Sequence, residues 1–260
     1  MGNKLYWELV DTWAITKRNL LRYTRLPQLI FFSSIQPIIF LTLFNYVFGG
    51  ALGSSGAALH GKYINYLLPG IMLQVTLFGG LQTGVGLAAD LNTGIVDRFR
   101  SLPMSRAAVL AGRTIADMLR NVVVLGIMLS YGYLLGFRFS NGLWGAVGMI
   151  GLLLLFGFAF SWVSAFLGML SKDPETAQLS GFLFVFPLVF ASSAFVPVQS
   201  MAKWLQHFAN NQPMTFAVNT ARELALGIPG HGALWKTLLW TAGILLVFIP
   251  LSVRMYRKRT

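Results

Sequence analysis

The 260-residue chain contains no cysteine, three histidines and eight acidic residues against twenty basic ones. Without cysteine there is no disulfide frame, no thiol nucleophile and no thiolate metal site. The histidines, His60, His207 and His231, lie far apart in segments read below as outer loops. Neither a metal centre nor triad catalysis is expected from them. Charge of either sign is scarce, at 11% of residues, whereas 55% are hydrophobic and the mean hydropathy is +0.65. A soluble domain of this size rarely averages so apolar. The apolar residues form long continuous runs instead of ten-residue alternating segments, which points to membrane-spanning helices and away from a barrel. Lipid offers the backbone no partners, so a spanning helix must satisfy its own hydrogen bonds.

Six spans are predicted, at about 28–48, 66–91, 115–137, 143–170, 179–198 and 234–253. Pro37 and Pro187 fall inside the first and fifth and predict kinks there. The basic residues sort unequally between the two sets of connecting segments. One set holds Lys4, Lys17, Arg18, Arg22, Arg25, Arg98, Arg100, Arg106, Arg113, Arg120, Lys172, Arg254, Arg257, Lys258 and Arg259. The other holds only Lys62, Arg138, Lys203, Arg222 and Lys236. The positive-inside rule puts the first set, with both termini, in the cytoplasm, which agrees with an even number of spans. The net charge of +12 is then a topology signal and an attraction to anionic lipid. No nucleic-acid motif accompanies it. Neither a cleavable leader nor an internal repeat is evident, and residues 1–260 read as a single membrane domain.

Residues 4–25, KLYWELVDTWAITKRNLLRYTR, place charges at three- and four-residue steps on one side of a helix, with acids early and bases late. Trp7 and Trp13, with Arg18 and Arg22, suit a helix lying in the plane of the cytoplasmic membrane interface. Further on, DRFRSLPMSR (97–106) interrupts two apolar runs with four charges. Ile95, Phe99 and Leu102 form an apolar stripe at helical spacing, Asp97, Arg98 and Arg100 occupy the other sides, and Pro103 discourages continuation. Such a helix needs a cover, either a soluble partner with an apolar groove and acidic rim or the membrane interface itself; both fit. Beyond it, Arg113, Asp117 and Arg120 have the spacing to pair along one helix face. A buried proton carrier at Asp117 is the alternative.

Other signals are weaker. GAALHGKY (56–63) resembles a phosphate loop, but Tyr63 replaces the hydroxyl residue that would ligand magnesium and no strand precedes it, so no nucleotide site is expected. Gly80 with Gly84, and Gly132 with Gly136, have the spacing of close helix contacts. Between spans five and six, MAKWLQHFA and TFAVNTARELALG are short helix candidates. Asn45, Gln74, Thr76, Gln82, Thr83, Ser192 and Ser193 are polar groups on apolar spans; each suits a substrate path or a helix–helix hydrogen bond equally. No carboxylate pair is placed mid-membrane, which argues against a proton-driven carrier.

The run DRFRSLPMSRAAVLAGRTIADMLR (97–120) resembles the loop between the second and third spans of ABC-2 type transporter permeases, the daunorubicin/doxorubicin-resistance type most nearly. The six-span layout, the leading amphipathic helix and NNQPMTFAVNTARELALG (210–227) resemble that family as well. In two respects the chain differs: Asn92 and Thr93 stand before Gly94, where the family often has an acidic residue, and Gln212 stands between Asn211 and Pro213, where the family commonly has Asn directly before Pro. The resemblance implies an all-α membrane fold of six transmembrane helices. It adds a cytoplasmic coupling helix at Ile95, Asp97, Arg98, Phe99, Arg100, Leu102 and Pro103, and short re-entrant outer helices carrying an outer gate or sister-subunit contact at Pro213, Arg222 and Glu223. It implies no catalytic residue and no cofactor in this chain. ATP and Mg would sit on a cytoplasmic ATPase partner in two copies, and a second permease subunit, identical or related, would complete the path. The expected activity is export of a hydrophobic drug-like or lipid substrate across the cell membrane. Export of a polysaccharide or glycolipid, and a secondary transporter not driven by ATP, are the alternatives.

Overall fold

The computed structural model describes residues 2–25, 27–53, 62–93, 106–228 and 232–259, which form helices and turns with no strand among them. In chain order the helices are α1 (Gly2–Arg25), α2 (Pro27–Gly53), α3 (Tyr63–Asn92), α4 (Arg106–Leu134), α5 (Gly142–Leu170) and α6 (Pro174–Phe190). A single 3-10 turn (Val198–Ser200) then leads to α7 (Lys203–Asn211), α8 (Pro213–Leu226) and α9 (Ala233–Arg259). Four segments are long and apolar enough to cross a membrane: Tyr63–Asn92, Ala108–Leu134, Gly142–Leu170 and Ala233–Tyr256. The coupling residues Ile95, Asp97, Arg98, Phe99, Arg100, Leu102 and Pro103 lie outside the described residues, as do His60 and His231.

Local sequence explains where the helices begin and end. Asp173 caps α6, accepting from the Thr176 backbone N–H at 2.7 Å and from its hydroxyl at 3.0 Å, and Pro174 follows at the first helical position. Those two bonds hold the Asp173 carboxyl below the usual carboxylate range. At the other extreme, α8 ends on Gly227 with φ of 67°, a left-handed cap that bonds back to the Glu223 carbonyl.

Helix α3 forms the centre, packed by α2, α4, α5, α6 and α8. Small residues set its closest crossing. A side chain added at Gly84 would collide with the Ser164 backbone, and one at Gly168 with the Gly84 backbone. Gly80 and Gly157 make similar approaches to Ser161 and Thr76. The Gly80/Gly84 spacing therefore does bring two helices together. Gly136 of the second pair instead lies beyond α4, in a turn with φ of 97°. Elsewhere the outer faces are apolar: Tyr46, Leu183 and Leu246 are each more than 70% exposed, a surface suited to lipid or another apolar partner.

Two predicted boundaries need correction. The third helix starts at Arg106, not 115, because RAAVLAGRTIAD is itself strongly helix-forming and its polar groups find partners on α1 and α3. More consequentially, the predicted fifth span at 179–198 is helical only to Phe190. Pro187 and the Ser192–Ser193 pair end it, and the freed carbonyls are taken up one by one. Gln212 donates to the carbonyls of Leu188 and Ala191, both at 2.9 Å. Ser192 takes that of Val189. Tyr66 and Arg222 take that of Ser193, Arg222 that of Ala194, and Tyr63 that of Phe195. A non-helical turn can stand in an apolar bundle only when its backbone is satisfied in this way.

The α3–α5 crossing yields a prediction. Gly84→Val should destabilise the chain by about 1–3 kcal/mol, the range for overpacking a filled core. Gly126→Ala, with open space around it, should have no such effect. Thermal unfolding of the two variants in detergent compares them; equal midpoints would contradict the crossing.

Candidate functional site

Two clusters of buried polar groups hold α3 at opposite ends. Near its C-terminal half, α3 and the antiparallel α4 form a polar ladder. Gly79 and Gly86 stand two turns apart on α3, and Arg120 and Arg113 two turns apart on α4. A side chain at Gly86 would occupy the place of the Arg113 guanidinium, and one at Gly79 that of the Arg120 guanidinium and the Asn121 amide. The glycines are thus slots for the arginines. Arg113 donates to Asp90 at 2.5 Å, and Arg18 of α1 approaches the same carboxylate at 3.7 Å. Arg120 donates to the Gly79 carbonyl at 2.8 Å. Between them, Asp117 accepts from Thr83 of α3 and from Tyr23 of α1, each at 2.5 Å. Burial, and next the Asp117 charge, push the Tyr23 hydroxyl up to about 12, so it remains a donor throughout the physiological range.

This geometry corrects the pairing expected along α4. Asp117 is bonded by two hydroxyls from other helices, and Arg113 and Arg120 are directed to α3. A buried carboxylate needs donors, and here hydroxyls of α1 and α3 supply them to its two oxygens while Arg113 and Arg120 bond groups of α3. Asp90 and Tyr23 complete the ladder and were not among the expected site residues. Their signal was positional: Asp90 stands in the last turn of α3, and Arg113 two turns into the antiparallel α4 that follows it.

At the other end, Arg222 of α8 is buried at 6% exposure. Its guanidinium lies 3.5 Å from the centre of the Tyr66 ring. It donates to the carbonyls of Tyr66, Ser193 and Ala194 at 2.8, 2.6 and 3.1 Å. Named above among the residues of an outer gate or sister-subunit contact, it fastens the turn after α6 to the start of α3. Glu223 beside it is half-buried, and Pro213 opens α8 directly after Gln212.

A cavity of about 540 Å³ lies between α1, α2, α3, α4 and α6. Its walls are Phe40, Phe78 and Phe182, and the ladder forms its polar side. Among the described residues α2 and α6 make no contact with each other, although both pack on α3. They converge only beyond the cavity, where Phe195 stacks on Phe44 at 4.9 Å and on Phe190 at 5.2 Å. Of the expected path residues, Gln74 and Gln82 line the cavity. Thr83 bonds Asp117, Thr76 packs on Gly157 and bonds the Leu73 carbonyl, and Ser192 and Ser193 belong to the Arg222 turn. Asn45 is half-buried on α2, away from the lining. Trp7 and Trp13 are exposed on α1, whose other side packs on α4 through Ile15 and a Thr16 bond to the Gly112 carbonyl. Arg22 lies in α1, its side chain outside the described residues. Among the described residues no three His, Cys, Asp or Glu side chains gather as a metal site.

A helical bundle built around one buried central helix, with four helices long and apolar enough to cross a membrane, has the architecture of a multi-pass membrane protein. The ABC-2 type transporter family model matches residues 10–226, and the chain belongs to that family. It is 36% identical over 242 residues to the daunorubicin resistance ABC transporter permease protein DrrB1 of Streptomyces coeruleorubidus, covering 93% of this chain and 84% of that one. It is 28% identical over 254 residues to the probable doxorubicin resistance ABC transporter permease protein DrrC of Mycobacterium tuberculosis, with 97% and 90% covered. The putative transport permease ycf38 of Cyanophora paradoxa is 24% identical over 222 residues, with 84% and 75% covered.

Two outcomes test the clusters. Tyr23→Phe and Thr83→Val each remove a donor from a buried carboxylate and should each cost about 1.5–3 kcal/mol. Their coupling, read from a double-mutant cycle of unfolding midpoints in detergent, should vanish in an Asp117→Asn background. Arg222→Lys keeps the charge but loses the planar fork, so it should destabilise nearly as much as Arg222→Met, by at least about 2 kcal/mol. A silent Arg222→Lys would show that charge alone suffices.

Proposed function

We propose that this chain is the membrane-spanning permease subunit of an ATP-driven exporter that moves a hydrophobic, drug-like or lipid molecule out of the cytoplasm or the inner leaflet. The cavity is the observation that carries this reading. It is lined by Phe40, Phe78 and Phe182 beside the polar ladder and bounded by α2 and α6, which make no contact with each other among the described residues. A chamber with aromatic side chains between helices that do not touch suits uptake of an apolar molecule from the bilayer. Family membership supports the drive by a separate ATPase, and the names of the resistance permeases support the substrate class. In this reading α2 and α6 complete six spans, α7 and α8 are the re-entrant outer helices, and both termini face the cytoplasm.

The strip from Ile95 to Pro103 then docks on the ATPase, which binds ATP and Mg. Its position between α3 and α4 supports this role. Those two helices are locked together by Arg113–Asp90, Thr83–Asp117 and Arg120–Gly79, so displacement of the strip would move both as one body. A second permease subunit, identical or related, would complete the path across the apolar faces of α2 and α6.

Arg98→Ala with Phe99→Ala should leave membrane insertion intact while reducing ATPase copurification and substrate-stimulated hydrolysis at least about tenfold, the scale of a lost interfacial anchor. Efflux that survives ATP depletion while a proton gradient persists, with no ATPase copurifying, would overturn the exporter reading.

A further inference from the structure

Three helices bring the same pair of residues to the cavity. Gln36 and Phe40 lie four positions apart on α2, Phe78 and Gln82 on α3, and Gln178 and Phe182 on α6, and all six line the space. Residues four apart share one face of a helix. The direction of each pair is shared as well. Gly70 of α3 lies against Ala194, Phe78 against Phe182 at 5.9 Å, and Leu81 against Gly181, so α6 runs antiparallel to α3. Helix α2 does the same. Its Phe44 stacks on Phe195, whose carbonyl accepts from Tyr63 at the start of α3. Tyr23, just before α2 begins, reaches the Asp117–Thr83 pair in the later half of α3. On all three helices the glutamine therefore stands one turn from its phenylalanine towards the C-terminal end of α3. One cavity thus has a ring-bearing level and an amide-bearing level.

The amides are open to a ligand. Gln36, Gln82 and Gln178 are exposed and bond no other group among the described residues. Within a span, lipid cannot satisfy them. Ser33, one turn before Gln36, also lines the space. The remaining polar residues of the lining are engaged or enclosed. Arg113, Asp117 and Arg120 are held in the ladder, Asn121 accepts from Arg120, and Gln74 is only 6% exposed. Each charge of the lining already has its partner, so a charged ligand would leave water with no counter-charge to meet it. An amide offers two N–H donors and a carbonyl acceptor, and so serves hydroxyl and carbonyl oxygens alike. The phenylalanines offer apolar area and ring faces. The six side chains surround a hollow of about 540 Å³, the size of a small-molecule site, instead of forming a flat face for a second copy of the chain.

We infer that the cavity binds an uncharged amphipathic molecule, with an apolar or aromatic body on Phe40, Phe78 and Phe182 and hydroxyl or carbonyl oxygens on Gln36, Gln82 and Gln178. Its oxygens are directed towards the C-terminal end of α3. The glutamines select and the phenylalanines hold. This assignment deepens the exporter reading and rests on it for the cavity's role as substrate chamber.

The test uses the purified full chain in lipid nanodiscs and four photoreactive probes of one skeleton: para-hydroxymethylbenzophenone, para-methylbenzophenone, para-aminomethylbenzophenone and para-benzoylbenzoate. Labelled residues are mapped by mass spectrometry, and affinity is read from the concentration dependence of labelling. The alcohol should label α2, α3 and α6 saturably and bind about tenfold more tightly than the methyl, amine or carboxylate analogue, the equivalent of one unmade hydrogen bond. Gln82→Leu with Gln178→Leu should abolish the preference for the alcohol over the methyl analogue and leave binding of the methyl analogue undiminished. Phe182→Ala should weaken both uncharged probes alike. Unfolding midpoints confirm that the variants compared are folded. Equal binding of alcohol and methyl analogue by the wild type, an unchanged preference in the folded glutamine variant, or amine or carboxylate binding as tight as the alcohol overturns the assignment. The chain has no cysteine, so Gln178→Cys carries a single thiol. Disulfide-linked dimers of that variant, with no labelling of the cavity in the wild type, give the glutamines to a subunit contact and also overturn it. No ATPase is needed, so the outcomes separate: amide-dependent binding without ATP-driven efflux defeats the exporter reading alone, and efflux without amide-dependent binding defeats this assignment alone.

Discussion

Burial of α3 on nearly every side is the constraint from which the rest of the arrangement follows. A helix so enclosed has no free face, so each neighbour fits only where α3 lacks side-chain volume or offers a partner. Gly80 and Gly84 admit the α5 backbone, Gly79 and Gly86 admit two arginines of α4, and Gly70 admits the turn after α6. Substituting any of these positions would displace a neighbour, because filled interiors have little slack to absorb even one methyl group.

The two arginine clusters solve one problem in two ways. A charge removed from water needs either an opposite charge or many dipoles. At the α4 end, Arg113 has a carboxylate. At the α8 end, Arg222 has three carbonyls and an aromatic face. The second solution also rescues the chain from an early helix stop. The carbonyls released when α6 ends at Phe190 would be stranded in an apolar setting, and Gln212, Tyr63, Tyr66 and Arg222 meet them. Gln212, the residue by which the outer segment departs from the family's common pattern, thus serves as a cap from outside the helix it caps.

On the exporter reading, the arrangement separates a stiff part from an adjustable one. Helices α3, α4 and α5 are joined by buried bonds and close crossings, whereas α2 packs on α3 and α4, α6 on α3 and α5, and the two make no contact with each other among the described residues. A push delivered between α3 and α4 reaches the cavity wall as movement of a block. The polar ladder that borders the cavity belongs to that block.

Much was legible before any coordinates. Continuous apolar runs, the uneven spread of lysines and arginines, and the Trp- and Arg-bearing first helix follow from periodicity and composition, because the lipid environment imposes those patterns along the chain. The GxxxG at Gly80 was readable for the same reason. Pairing was not. Asp117 looked like the partner of Arg113 and Arg120 because sequence displays neighbours on one helix, while its bonds come from Tyr23 and Thr83 on two others. Ser192 and Ser193 were drawn inside a span because the apolar run continues through them, whereas the helix ends at Phe190 and they belong to the turn that follows. The sequence by itself determined which segments must be helical and apolar, since a backbone without water has no other choice. Only the tertiary structure decided which buried polar groups hold α3 to its neighbours and which do not. That distinction depends on what lies across the gap, and no spacing along a chain records it.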